Sequence, residues 1–165
     1  MEEHKFEPVF DKMSRILILG TFPSVKSREM NFYYGHPRNR FWTIMAQILG
    51  ENVPETIEDK KAMLLRNGIA LWDVCVKCDI TGSSDSSIKN VVPVDIKRIT
   101  DNVDIIKIFA NGNTAGKLYD KYLKDITGMD INVLPSTSPA NAAFQMEQLK
   151  DRWNIIKEVL GDGHV

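Results

Sequence analysis

Short apolar runs alternate with amphipathic segments along most of the chain. Four runs rich in Ile, Val and Leu are short and continuous, which is typical of strands buried on both faces of a parallel sheet. These predicted strands are 15–20, 69–74, 105–110 and 131–134. Between and after them, apolar residues recur at helical spacing. The predicted helices are 41–49, 55–66, 95–100, 114–124 and a last one after Asn141, whereas 79–93 is predicted as a serine-rich loop.

Strand and helix alternation of this kind predicts an α/β fold in three layers, α/β/α, with a four-stranded and mainly parallel central sheet. We expect a single domain over residues 1–165. Ligands of such sheets bind outside the carboxyl ends of the strands. The polar loops that follow Leu19, Leu71, Phe109 and Leu134 are therefore expected to build one site.

Composition and net charge favour a globular protein over a disordered or strongly basic one. Hydrophobic residues make up 43% and charged residues 26% of the 165, as in an ordinary globular protein. The net charge is −1, so contact with a polyanion must come from a local patch. No apolar run approaches the ~18 residues of a membrane span. We expect a cytoplasmic protein, because thiols are few and no secretion signal is evident. We also expect a monomer.

The two cysteines, Cys75 and Cys78, form a lone C-x-x-C pair. A Cys-only zinc or iron–sulfur site would need four such ligands, so no metal or other cofactor is expected. The simpler interpretation places one thiol in the core and the other at a strand end.

The loop after the first strand combines aromatic and basic residues. Between Ser24 and Trp42, four basic residues stand against one acidic residue. Aromatic rings beside positive charges are suited to stacking nucleobases and contacting phosphates. The alternative is that Phe41 and Trp42 belong to the core and the arginines to a solvated face. We expect this for Trp42 but not for the loop as a whole.

Three segments together resemble the uracil-DNA glycosylase superfamily, and within it the hypoxanthine-DNA (deoxyinosine) glycosylase family. They are Gly20–Ser24 (GTFPS), Tyr33–Trp42 (YYGHPRNRFW) and Pro135–Asn141 (PSTSPAN). The resemblance extends from about Ile16 to Trp153. It implies a four-stranded parallel sheet between helices and a role in DNA repair, namely hydrolysis of the bond between a damaged base and deoxyribose. No lysine is evident as an amine nucleophile for the pocket, so a monofunctional glycosylase is expected.

The sequence departs from the superfamily pattern at two positions. Phe22 stands where many members carry a water-activating Asp, and Leu134 stands where a His often supports a uracil oxyanion. Both departures disfavour a standard uracil enzyme. In hypoxanthine-type members the polar catalytic residue is an Asn, which Asn39 matches. An amide is a poor base, so Asn39 is expected to position the attacking water. Capping a helix that begins at Arg40 is a second, compatible role.

Asp73 occupies the position at which the superfamily commonly carries an amide that pairs with the base edge. An ionised carboxylate only accepts hydrogen bonds. It would therefore favour hypoxanthine, whose N1–H is a donor, over adenine, whose N1 is an acceptor. A helix cap or a loop salt bridge is the alternative role.

The remaining candidates come from the same loops. Phe22, Tyr33 or Tyr34 would form the stacking wall for a flipped base, and the N–H groups near Thr21 would hold a base oxygen. His36 would hydrogen-bond or protonate the leaving purine, unless it is structural. The base-binding candidates are Thr21, Phe22, Pro23, Ser24, Tyr34, His36, Asp73 and Asn111. The DNA-binding candidates are Arg38, Arg40, Gly112, Ser136, Thr137, Ser138 and Asn141.

Gly112 is a candidate because a helix N-terminus binds phosphate, although Asn111 to Asn113 also fits an ordinary turn. Other functions stay open at this point. The chain could remove uracil or xanthine, bind damaged DNA without catalysis, or hydrolyse free nucleosides. In every DNA-directed case the expected partner is DNA containing a deaminated base.

Overall fold

The structure is a computed structural model that describes residues 1–4 and 6–162. Its strands are β1 (Glu2–Glu3), β2 (Ile16–Gly20), β3 (Ile69–Asp73), β4 (Cys75–Thr81), β5 (Ser84–Pro93), β6 (Lys107–Asn111) and β7 (Ile131–Leu134). Its helices are α1 (Val25–Met30), α2 (Phe41–Leu49), α3 (Ile57–Arg66), α4 (Lys97–Thr100), α5 (Asn113–Tyr122), α6 (Lys124–Thr127), α7 (Met146–Trp153) and α8 (Ile155–Asp162).

The central sheet has four parallel strands in the order β3-β2-β6-β7. The predicted α/β fold with this sheet is confirmed. Strand β2 lies in the middle, and its residues 16–19 are completely buried, as expected for a strand covered on both faces. Gly20 pairs with Asp73, and Asn111 pairs with Leu134. The strands therefore end together at one edge, where the loops that follow them meet.

The helices pack their apolar residues against this sheet. Helix α2 buries Phe41 and Trp42, as expected for Trp42, and ends at Gly50, whose φ of 69° is the left-handed conformation that glycine adopts easily. Trp153 of α7 is fully buried and packs edge-on against Phe41. Two predicted helices are each divided in two, at Leu123 and at Asn154.

The prediction of a loop over 79–93 is wrong. This segment belongs to an antiparallel hairpin of β4 and β5 that turns at Gly82, with β1 added on the other edge. Most side chains of β5 are exposed, so no apolar alternation marked it as a strand. Its pairing with β4 also shifts register three times.

Cys75 and Cys78 lie on β4 as free thiols, and both are buried. The interpretation that only one of them belongs to the core is therefore corrected. Within residues 1–4 and 6–162, no group of three or more His, Cys, Asp or Glu side chains is arranged to hold a metal ion. No helix in the same ranges is long and apolar enough to cross a membrane.

Candidate active site

A cavity of about 840 Å³ opens at the carboxyl edge of the sheet, within the usual ~300–1,000 Å³ of small-molecule sites. Asn39 and Asp73 share it. The predicted base-binding residues all line this cavity: Thr21, Phe22, Pro23, Ser24, Tyr34, His36, Asp73 and Asn111. Four loops that are distant in sequence thus contribute to a single site, as the parallel topology requires.

One wall of the cavity, here called the asparagine side, consists of Asn39, Asn111 and Thr137. The Asn111 side chain donates to Thr137 Oγ1 (3.0 Å) and accepts from the Thr137 backbone N–H (3.0 Å). The Thr137 hydroxyl in turn donates to Asn39 Oδ1 (2.8 Å). Thr137 is completely buried. These bonds fix the three side chains relative to one another before any ligand binds.

Asn39 Oδ1 also accepts a hydrogen bond from the backbone N–H of Phe41 at 3.0 Å. The capping role is therefore present, although Phe41 rather than Arg40 begins the helix. Two donors occupy the two lone pairs of this amide oxygen. The Nδ2 group of Asn39 makes no hydrogen bond within the described part of the chain and retains its donor hydrogens. Asn39 can therefore act on a ligand or water as a donor.

Arg40 corrects one prediction of a DNA contact. Its guanidinium donates to four backbone carbonyls of the loop that follows β7. These carbonyls belong to Thr137, Ser138, Asn141 and Phe144. With four of its five N–H donors occupied, Arg40 holds this loop against α2 and is not free for phosphate.

Gly112 and Thr137 are the other two corrections. The N–H of Gly112 donates to Leu134 O at 2.8 Å, and Gly112 is buried, so a phosphate cannot reach it. A Cβ on Gly112 would lie 3.2 Å from Ser136 Cβ, which shows how closely the two loops approach. Thr137 is buried and hydrogen-bonded within the asparagine side, so it does not face DNA.

The remaining DNA-binding candidates lie at the surface or on the cavity wall. Ser136, Ser138 and Asn141 line the cavity, and Arg38 is exposed outside it. His36 also lines the cavity, and its Nδ1 accepts from the Arg38 backbone N–H at 3.1 Å. When neutral, His36 therefore carries its proton on Nε2 and is a donor there.

A second part of the cavity lining, here called the aspartate side, consists of Gly20, Tyr34, Asp73 and Asp85. Asp73 ends β3 and is 3% exposed, and its Oδ2 has no hydrogen-bond partner in the part of the chain that the structure describes. Burial raises the pKa of Asp73 to about 8, with a further contribution from the charge of Asp85. Burial therefore favours the neutral form of Asp73 at pH 7, whereas the sequence predicts an ionised carboxylate.

His4 lies behind Asp73, with 3.7 Å between His4 Nε2 and Asp73 Oδ2. Its ring is already occupied, because Nε2 donates to Cys75 O (2.8 Å) and Nδ1 accepts from the Phe6 N–H (3.2 Å). Burial lowers the pKa of His4, so it is neutral and provides no counter-charge. Nothing in the sequence around His4 indicated this position.

Tyr34 and Gly20 complete the inner part of this side. The Tyr34 ring stacks on Phe41 with centroids 4.2 Å apart. Its buried hydroxyl lies near the Asn111 side chain but makes no hydrogen bond of normal geometry within residues 1–4 and 6–162. Tyr34 has a φ of 53°, an unusual backbone conformation for a bulky residue. Tyr33 is a core residue instead, since it is buried and its hydroxyl donates to Glu7 O at 2.9 Å.

Asp85 is the main cavity residue that the sequence did not indicate. It lies on β5 next to the hairpin turn, and Thr21 Oγ1 donates to its carboxylate at 3.3 Å. Asp85 is exposed as a residue, but its carboxylate faces the cavity, and enclosure by the walls raises its pKa. Ser83, Ser84 and Ser86 line the cavity beside it.

Fold and site together define a member of a known class: the chain belongs to the uracil DNA glycosylase superfamily, whose family model matches residues 7–160. The chain is 34% identical over 158 residues to a protein named hypoxanthine DNA glycosylase from Methanosarcina acetivorans, covering 94% of this chain and 98% of the relative. A relative of the same name from Methanosarcina barkeri is 32% identical over 155 residues, with 93% and 96% covered.

Solved structures agree with this assignment. A solution NMR structure from Methanosarcina acetivorans, described as a candidate uracil DNA glycosylase, superposes with a TM-score of 0.79. It is 34% identical in sequence, and the match covers 96% of this chain and 98% of that one.

Proposed function

We propose that this protein is a DNA glycosylase that hydrolyses the N-glycosidic bond of hypoxanthine in DNA. The observation that carries the proposal is the cavity that Asn39 and the buried Asp73 line together. Superfamily membership and two relatives named hypoxanthine DNA glycosylase support the same reaction. The substrate is DNA whose damaged nucleotide is turned out of the duplex into the cavity.

Cleavage of the bond gives the sugar oxocarbenium character and leaves negative charge on the departing base. Water adds to C1′, the bond from C1′ to the base nitrogen breaks, and a proton of the water passes to the base. Asn39 holds the water by donating from Nδ2 to its oxygen, because Oδ1 is already occupied. Placing a reactant in this way removes up to ~7–11 kcal/mol of barrier in the best cases.

Base identity is read on the aspartate side. The N1–H of hypoxanthine donates to Asp73, and a hydrogen bond to the carboxylate favours the ionised form. Adenine lacks this donor and conflicts with an ionised Asp73. A neutral carboxyl both donates and accepts hydrogen bonds, so it could pair with either base. Asp73 therefore distinguishes hypoxanthine from adenine only after it has lost its proton.

We assign DNA contacts beyond the flipped nucleotide to Arg38 on the surface and to polar residues of the cavity lining. Arg38 supplies positive charge, and Ser136, Ser138 and Asn141 offer polar groups at the cavity mouth. Among the described residues that line the cavity, none is a lysine. This supports simple hydrolysis without strand cleavage through a Schiff base.

A product assay tests the proposal. Duplexes that contain deoxyinosine, deoxyuridine or deoxyxanthosine are incubated with the protein and treated with alkali to break abasic sites. We expect the deoxyinosine strand to be cut first. Binding without abasic product from any duplex would instead indicate a non-catalytic damage-binding protein. Hydrolysis of free nucleosides with little dependence on salt would indicate a nucleoside hydrolase.

A further inference from the structure

Within the described residues 1–4 and 6–162, two buried polar atoms on the aspartate side have no hydrogen-bond partner: the Tyr34 hydroxyl and Asp73 Oδ2. Buried polar atoms are nearly always paired, so such exceptions need an explanation. Both residues line the cavity, and Asp73 is 3% exposed. The Tyr34 hydroxyl is therefore expected to find its partner on the ligand. Asp73 Oδ2 instead lies toward His4 Nε2, 3.7 Å away, which leaves Oδ1 as the carboxyl atom beside Tyr34.

Gly20 allows these two groups to converge. A Cβ built on Gly20 would lie 2.4 Å from Asp73 Oδ1 and 2.7 Å from the Tyr34 oxygen. Both oxygens thus lie within 2.7 Å of a single point at the end of β2, in space that only glycine leaves open. A carboxyl and a phenol are thereby placed side by side at the inner end of the cavity.

The two groups have complementary hydrogen-bonding capacities. A phenol hydroxyl donates, and it keeps its proton here because burial raises the pKa of Tyr34. A carboxylate accepts. The ligand edge that satisfies both has an acceptor next to a donor, as in a lactam, where C=O adjoins N–H.

We propose that Tyr34 is a specificity-determining residue that donates its hydroxyl to the 6-oxygen of the flipped base while Asp73 accepts from N1–H. This inference rests on the proposed function and restricts its substrates to bases with a lactam edge, which excludes adenine. Hydrolytic deamination of adenine creates this edge by replacing the amino group with a carbonyl and placing a proton on N1. The same edge occurs in uracil and xanthine.

A purely apolar role for Tyr34 makes a different prediction. Its ring stacks on Phe41, and if stacking were its only role, Tyr34→Phe would be harmless. The test therefore compares kcat/KM for deoxyinosine with that for deoxynebularine, a purine nucleotide that lacks both the 6-oxygen and N1–H. Tyr34→Phe is expected to lower kcat/KM for deoxyinosine about tenfold and to leave deoxynebularine unchanged.

Tyr119→Phe is the matched control. Tyr119, on α5, is a buried tyrosine that does not line the cavity. Unlike the Tyr34 hydroxyl, its hydroxyl is hydrogen-bonded, to Met129 O. This variant is expected to lose stability and keep the wild-type ratio between the two substrates. A ratio unchanged by Tyr34→Phe, in an active and folded enzyme, would overturn the inference while leaving the glycosylase activity in place.

If the wild-type protein releases no base at all, the proposed function fails by itself. The edge-reading inference is then tested by calorimetric titration with free hypoxanthine and free purine. The wild-type protein is expected to bind hypoxanthine more tightly, and Tyr34→Phe to lose this preference about tenfold. Equal binding of both bases by the wild-type protein would refute it.

Discussion

The asparagine side and the aspartate side of the cavity differ in how completely their polar side chains are hydrogen-bonded. On the asparagine side the side-chain oxygens of Asn39, Asn111 and Thr137 all take part in hydrogen bonds. On the aspartate side, the Tyr34 hydroxyl and Asp73 Oδ2 are buried and make no hydrogen bond to any described residue. A completed network fixes geometry in advance, which suits the placement of a water molecule. Unpaired groups are satisfied only by the correct ligand, which suits selection.

The strongest test of this contrast is Asn39→Ala. It removes the Nδ2 donor assigned to the water, and we expect kcat on deoxyinosine to fall about 10²–10³-fold, as when other preorganised donors are removed. It also leaves the Phe41 N–H and the Thr137 hydroxyl without their acceptor, which costs about 1–3 kcal/mol of stability. Single-turnover kinetics and thermal unfolding measure the two effects separately.

Asn132→Ala is the matched control for that variant. Asn132 donates to Ile108 O at 3.1 Å on β7 and does not line the cavity. It should lose stability to a similar extent and keep its activity. Full activity in a folded Asn39→Ala protein would limit Asn39 to its capping role.

On the other wall, Asp73→Asn should change selectivity more than rate. An amide offers both a donor and an acceptor, so it can pair with hypoxanthine or adenine. We expect the preference for deoxyinosine over deoxyadenosine to fall about 10–100-fold at pH 8.5, where wild-type Asp73 is mostly ionised. The measurement is kcat/KM on duplexes differing only in that base, and an unaltered preference would remove Asp73 from base reading.

The contrast between the walls also shows what the amino-acid pattern reveals. Four apolar strands and the loops after them place Asn39 and Asp73 at one edge, because parallel strands end together. In the sequence, an arginine of the basic loop or a hydroxyl of the loop after β7 looks the same whether it binds phosphate or holds a neighbouring loop. Arg40 and Thr137 were therefore assigned to DNA, and only their tertiary contacts show otherwise.

The aspartate side was harder to predict for a different reason. Asp85 lies on an exposed ribbon whose polar residues give no strand periodicity. His4 reaches Asp73 from the N-terminal segment, a contact that only tertiary folding creates. The neutral state of Asp73 depends on this environment, since it results from burial without a cationic partner.

That neutral state predicts how stability changes with pH. The pKa of Asp73 is about 8 when folded and about 3.9 when unfolded, so between these values the folded protein binds the extra proton. Stability contributed by this group is therefore present at low pH and is lost as pH rises toward 8, at up to about 1.4 kcal/mol per pH unit. Calorimetric scans of the wild-type protein from pH 6 to 9 should show this decline, and Asp73→Asn should show a shallower one. Equal slopes would mean that Asp73 is already ionised in the folded state.

The smallest expected effect is a difference between Arg38 and Arg40 in their contribution to DNA binding. Arg38 is exposed, so Arg38→Ala should weaken binding to any DNA a few-fold and reduce the slope of log K against log salt by about one. Arg40→Met should leave that slope unchanged, because the Arg40 guanidinium is bonded to the carbonyls of the loop after β7. It should instead lower the unfolding temperature and the rate, since that loop carries Thr137 and through it orients Asn39. A reduced salt slope for Arg40→Met would show that the wild-type Arg40 guanidinium leaves the loop to contact phosphate when DNA binds. The hydrogen bonds of the asparagine side would then be complete only in the absence of DNA.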